Sequence, residues 1–231
     1  MATTTYNLSQ FCKSIEHVEG ARELIGMVAT FHGPCAQYQD LTFVRSYLDE
    51  LLRIDRGDVA EASVLGASLF MSAVITYCRA AKDGQRKRVD LTRPLNSELR
   101  EKHDHICAVR DTVMAHYEGA LTSRDGFEWV EEVTYLEESE GAQTRGLTAF
   151  NRANYLAAEV NDLQELLTVI GPFLNNEIAK RREPLLAKLR QMRANPEIER
   201  QLRACQFDVV EWVHRERRTE GAVTAGSSAS N

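Results

Sequence analysis

The residue least at home among its neighbours is Arg110. With about 100° between successive residues of a helix, Leu99, Ile106, Val113, Met114 and Tyr117 all fall within about 60° of it. Arg110 therefore sits in the middle of an apolar stripe. A guanidinium does not deprotonate, and it is costly to bury unpaired. Three outcomes stay open: an internal carboxylate partner, a snorkelling position at the edge, or a stripe that faces a shared cleft where charge is useful. The local run is Arg110-Asp111-Thr112-Val113-Met114-Ala115-His116-Tyr117. It combines a permanent forked donor that suits phosphate oxygens with a side chain that titrates nearest neutral pH. A six-residue step turns an ideal helix by about 600°, so His116 lies about 120° from Arg110. The two do not share a face, although an arginine is long enough to curl round a helix. The plain alternative for His116 is a surface histidine stabilised by a helix C-terminus.

Arginine, a small polar residue, apolar filler, then Ala-His near a helix end: this run resembles the motif of the HEPN superfamily. That motif is an arginine followed after four to six residues by a histidine, with Asn, Asp or His commonly next to the arginine. The motif covers under a tenth of the chain, and the architectural resemblance spans residues 7–175. What the resemblance implies is an all-α fold and a metal-independent endoribonuclease that acts as a homodimer, with no cofactor. His116 would serve as general acid or base on the ribose 2′-OH and the leaving oxygen. Arg110 would bind the scissile phosphate, and Asp111 would orient the pair. RNA brings its own nucleophile, and in a dimer His116 of one chain can meet Arg110 of the other. The implied biology is a toxin or antiviral effector held in check by an antitoxin or another regulatory protein. The competing reading is a non-catalytic HEPN-like helical protein that docks a partner through its C-terminal arm.

Other constellations weigh less. His103-Asp104-His105-Ile106-Cys107 has metal-ligand residue types, with His103 and Cys107 one turn apart on one face. A tetrahedral zinc site needs three or four ligands, and no second cluster supplies the rest, so no metal is assigned. His103 shares the Arg110 stripe and either lines the same substrate-binding cleft or is a satisfied histidine at the core edge. The basic stretch Arg79, Lys82, Arg86, Lys87, Arg88 and Arg93 either tracks an RNA backbone, with Arg86, Lys87 and Arg88 as substrate-binding residues, or forms a solvated loop. Cys78 and Cys205 have no activating neighbour in sequence, and no glycine-rich phosphate loop is present.

The elements that must position these residues follow a helical period. Leu8, Phe11, Cys12, Ile15, Val18, Arg22 and Ile25 mark a first helix ending by Gly33-Pro34. Asp40 is a plausible N-cap for a second, with Leu41, Val44, Leu48 and Leu51 inward. Residues 58–82 are apolar almost all round and predict the innermost helix. Asn96 or Ser97 can cap a fourth, which runs to about Tyr117 and carries the motif. Strand formers at 127–137 and 144–149 predict one inserted β-hairpin over 127–149, the only β structure. Asn151 opens a long helix through Leu156, Val160, Leu163, Leu167, Ile170 and Leu174, kinked at Gly171-Pro172 and interrupted at Pro184. Asn195-Pro196 starts the last, whose Ile198, Leu202, Cys205, Val209 and Trp212 step as a short heptad seam. The expected organisation is a helical domain over 1–183, a C-terminal helical arm over 184–218 and a disordered tail over 219–231.

Composition agrees with an all-α helical bundle. The chain has 231 residues, is 43% apolar and only 7% aromatic, and contains few Gly and Pro, which disfavours a β-sandwich or barrel. Five scattered cysteines without CxxC spacing indicate neither a disulfide framework nor a zinc ribbon, and a reducing cytoplasm is the expected setting. No basic n-region with an apolar h-region opens the chain. The uncharged run 62–78 is short for a membrane span, which takes about 20 residues, so it is expected as a core helix with no membrane involved. Net charge is −6, but seven acids lie within 125–140, and removing them leaves the rest about +1. An acidic total thus does not exclude a polyanionic substrate.

Overall fold

The structure is a computed structural model and describes residues 4–54, 59–81, 87–111, 131–137, 144–151 and 157–208. Six helices dominate them: α1 (Leu8–Ser14), α2 (Ala21–Arg53), α3 (Val59–Ala81), α4 (Ser97–Val109), α5 (Ala157–Met192) and α6 (Pro196–Ala204). Strands β2 (Glu131–Glu137) and β3 (Thr144–Asn151) pair antiparallel, with a register shift between Leu136 and Glu137. The fold is an all-α bundle with an inserted hairpin. A second antiparallel pair, β1 (Thr5–Tyr6) with β4 (Gln206–Phe207), corrects the expectation that 127–149 holds the only strands. It is two residues long on each side, and no alternation pattern marks so short a segment.

Two compact units are present: the described residues of 1–31 together with 180–231, and those of 32–179. The expected boundary lies between 183 and 184 and sets an arm apart, whereas the described residues 180–208 belong to one unit with 4–31. In that unit Phe11, Ile15, Ala21, Leu24, Leu185, Ile198, Leu202 and Cys205 form a core of their own. The seam of α6 is thus buried inside its unit as far as Cys205, and Val209 and Trp212 lie outside the described residues. Asn195 caps α6 as predicted, its Oδ1 accepting from Glu197 N at 2.9 Å, with Pro196 in the first turn.

The core of the larger unit joins Leu41, Val44, Leu48 and Leu51 of α2 to Phe70, Ala73, Val74, Tyr77 and Cys78 of α3. Ile106 and Val109 of α4, Val160, Leu163, Leu166, Leu167, Ile170 and Leu174 of α5, and Val89, Leu91 and Leu95 of the segment before α4 belong to it as well. These are nearly all the stripes that periodicity picks out. α3, however, is not covered on every side. Val64 is 72% exposed, and Leu65 and Ile75 are also exposed, so the helix is buried on one side only. Its Val64–Ala81 stretch is, among the described residues, the one window long and apolar enough to cross a membrane, and Phe70, Val74 and Tyr77 within it are core residues.

The predicted breaks at proline also change. α2 runs unbroken through Gly33-Pro34, and α5 continues through Pro184, where the sequence predicts an interruption. Asp40 is mid-helix rather than a cap, and Asn151 ends β3 rather than opening α5. An interior proline costs a helix about 3 kcal/mol. Each buried Leu, Ile or Val contributes about 1.5–3 kcal/mol, and α5 buries seven of them, which outweighs the local cost. The first real break comes earlier, where Gly20 adopts φ +78 between α1 and α2.

Candidate functional site

α4 starts where the side chain of Asn96 accepts from Leu99 N at 2.9 Å, and Glu98 lies in its first turn. His103, Cys107 and Arg110 then follow at i, i+4 and i+7 on one face. That face packs against α3. His103 Nδ1 is 2.8 Å from the hydroxyl of Tyr77, and the two rings meet edge to face at 5.7 Å. Cys107 Sγ lies 3.9 Å from His103 Nε2 and 3.9 Å from Cys78 Sγ. Cys78 Sγ also donates to the carbonyl of Ile106 at 3.8 Å. Burial pushes the Tyr77 phenol up. The thiol of Cys78 is pushed up chiefly by its hydrogen bond with Cys107 and then by burial, with Arg110 pulling the other way. The hydrogen bond with Cys107 raises His103 despite the opposing effect of desolvation.

Arg110 and Asp111 stand together at the end of this face, in a last described turn that is π-helical. The guanidinium donates to the carboxylate of Asp111, and the Arg110 side chain keeps 38% of its surface exposed. Of the three outcomes open to Arg110, it takes the edge position, with the adjacent acid as partner. That hydrogen bond is the main reason its proton is held more firmly than usual. His116, Arg86, Val113, Met114 and Tyr117 lie outside the described residues.

The other sequence-predicted residues separate. His103 is 7% exposed and engaged with Tyr77 and Cys107, which is the satisfied core histidine rather than a residue open to substrate. Lys87 is exposed. Arg88 is half-buried, and its guanidinium donates to the carbonyl of Arg79 in the last turn of α3, where a cation suits the helix dipole. Arg79 forks onto Asp40 at 2.7 and 3.2 Å, and Arg93 lies over the ring of Phe173 at 5.9 Å. Among the described residues no group of three or more His, Cys, Asp or Glu is arranged to hold a metal ion.

Several positioning residues carry no sequence signal. Buried Gln37 of α2 donates from Nε2 to the carbonyls of Ala80 and Val89, both at 2.9 Å, and accepts from Val89 N at 2.8 Å. It satisfies the end of α3 and pins the segment that carries Lys87 and Arg88. One turn earlier, a Cβ on Gly33 would meet the Lys87 carbonyl oxygen at 2.0 Å, so only glycine lets this segment approach. The other side of α4 faces α5 through charge. Lys102 Nζ lies 3.2 Å from Glu98 and 3.6 Å from Asp162 and also pairs with Glu165, and His105 Nε2 lies 2.9 Å from buried Glu159. A step of three up α4 matches a step of three down α5, as antiparallel packing requires. The charges embedded beside the α5 stripe, Glu159 and Asp162, were the available hint. A groove of about 240 Å³ lies elsewhere in this unit, between α2 and α5 and lined by Tyr38, Thr42, Arg45, Pro172 and Asn175, and none of the predicted site residues borders it.

No protein-family model, curated protein or solved structure matches this chain.

Proposed function

We propose that the chain is a metal-independent endoribonuclease of the HEPN type, a cytoplasmic toxin or antiviral effector that works as a homodimer and is checked by a protein partner. The observation that carries this reading is Arg110. It keeps 38% of its side chain accessible beside Asp111, just past the end of α4, and among the described residues it pairs with that neighbour rather than with an acid of another helix. In this mechanism His116 takes the proton of a ribose 2′-OH, whose oxygen attacks the adjacent phosphorus. The bond from phosphorus to the 5′ oxygen breaks, and the leaving oxygen takes up a proton. Arg110 binds the non-bridging oxygens through its fork as charge builds on them, and Asp111 fixes the orientation of that fork. Exposed Lys87 is available to a neighbouring phosphate, whereas Arg88 and His103 serve the fold.

A non-catalytic interaction protein is the second reading. Its support is the exposed apolar side of α3 at Val64, Leu65 and Ile75, not the α6 seam, which is buried within its own unit. The test is the chemistry of the products. Single-stranded RNA is expected to be cut to 2′,3′-cyclic phosphate and 5′-hydroxyl ends, while DNA of the same sequence, lacking the nucleophile, stays intact. Cleavage of both, or of neither, contradicts the proposal.

A further inference from the structure

Two thiols face each other between α3 and α4, and the proposed RNA chemistry uses neither. Cys78 Sγ and Cys107 Sγ are 3.9 Å apart, one on each helix, and all five cysteines of the chain are thiols. Cys78 is covered to within 1% of its surface, whereas Cys107 is only half-buried and reachable from solvent. The imidazole of His103 is 3.9 Å from Cys107 Sγ through Nε2, and its other ring nitrogen is held 2.8 Å from the Tyr77 hydroxyl. Arg110 follows Cys107 by three residues and places positive charge near both sulfurs. The residue types of His103 and Cys107 suit a metal, but among the described residues no group of three ligands is arranged for one. What remains is thiol chemistry between neighbours.

We infer that Cys78 and Cys107 are an oxidisable pair, a reversible disulfide site that ties α3 to α4 one turn before Arg110. The sulfurs need to close from 3.9 Å to the S–S bond length of about 2.05 Å. The oxidant is a peroxide. His103 accepts the Cys107 thiol proton, and the thiolate sulfur attacks one peroxide oxygen. The O–O bond breaks, Cys107 becomes a sulfenic acid, and the departing oxygen takes up a proton as water or alcohol. Cys78 sulfur then attacks Cys107 Sγ. The S–S bond forms, the S–O bond breaks, and hydroxide leaves as water with the proton of Cys78. The two thiols are oxidised by two electrons, and one peroxide is reduced. The difference in exposure sets the order, because the sulfur that meets the peroxide is the accessible one and the sulfur that resolves it is the covered one. This inference does not depend on whether the chain cuts RNA.

The experiment treats the reduced full-length protein, under native conditions, with a small excess of hydrogen peroxide. Remaining thiols are then alkylated and the tryptic peptides mapped without reduction. The expected product is a single link joining peptide 57–79 to peptide 103–110, with two of the five thiols lost and both restored by dithiothreitol. In Cys107→Ser both losses disappear. In Cys78→Ser oxidation stops at a sulfenic acid on Cys107, which a cyclic 1,3-diketone traps. The inference is overturned if wild-type Cys107 proceeds to sulfinic acid while Cys78 remains a thiol, if the link involves another cysteine, or if no thiol is lost.

Discussion

A guanidinium beside its own neighbour's carboxylate, at the lip of an apolar stripe, is the feature on which the functional account turns. Arg110 was legible because it breaks a helical pattern, and a pattern is local information. The partners that define its surroundings were not. Tyr77 lies 26 residues from His103, Cys78 lies 29 residues from Cys107, and Gln37 lies 52 residues from Val89. No spacing rule links residues so far apart, since only packing brings them together. By contrast Asn96 and Asn195 were legible as caps, because each bonds a backbone N–H two or three residues on. The proposed mechanism makes a strict demand of Arg110. Arg110→Lys keeps the charge and loses the fork, so its RNA cleavage rate is expected to fall by roughly 10² with unchanged helical content by circular dichroism. A lysine variant that cuts at the wild-type rate would remove the fork from the mechanism.

Helix by helix, apolar spacing found the inward residues and misplaced the ends. Leu41, Val44, Leu48 and Leu51 are all buried as predicted, yet Gly33-Pro34 does not end the helix before them. Glycine there answers a contact with Lys87 and not a need to stop. The glycines of α2 therefore divide. Gly33→Ala is expected to destabilise the protein by about 1–3 kcal/mol in urea unfolding, because its Cβ meets backbone that cannot move aside cheaply. Gly26→Ala, where a Cβ meets nothing within 4 Å, is expected to stabilise by about 0.5–1 kcal/mol through helix propensity. Equal effects of the two would contradict the packing described. α6 carries a pH dependence of its own. Arg193, foremost, and Arg203 hold the Glu199 carboxyl down to about 2 from its ordinary 4.5. A depressed carboxylate contributes stability above its unfolded value, so this contribution is lost as pH falls from about 4.5 towards 2. Amide exchange in α6 is expected to accelerate over that window, and Glu199→Gln is expected to flatten the change. An acid response unaltered by Glu199→Gln would assign it to another group.

Over the whole molecule, the fold class was legible and the grouping of its parts was not. Helical periodicity and one stretch of strand formers are properties of contiguous sequence, so a bundle with a hairpin follows from them. That residues near both ends share a core is a long-range fact, carried by Phe11, Leu24, Leu185 and Leu202, which look in sequence like four unrelated apolar positions. The proposed assembly is a homodimer whose interface includes the face around Arg110. Light scattering at tens of micromolar in about 0.15 M salt is expected to give twice the 26.1 kDa chain mass, and a monomer there would count against shared motifs. The most direct test of the central claim is RNA cleavage in excess EDTA by the wild type and by His116→Ala. The account predicts that the wild type retains full activity under chelation and that the variant is slower by roughly 10²–10⁴, the contribution of a positioned acid or base. Equal rates for the two proteins, or loss of all wild-type activity on chelation, would contradict it.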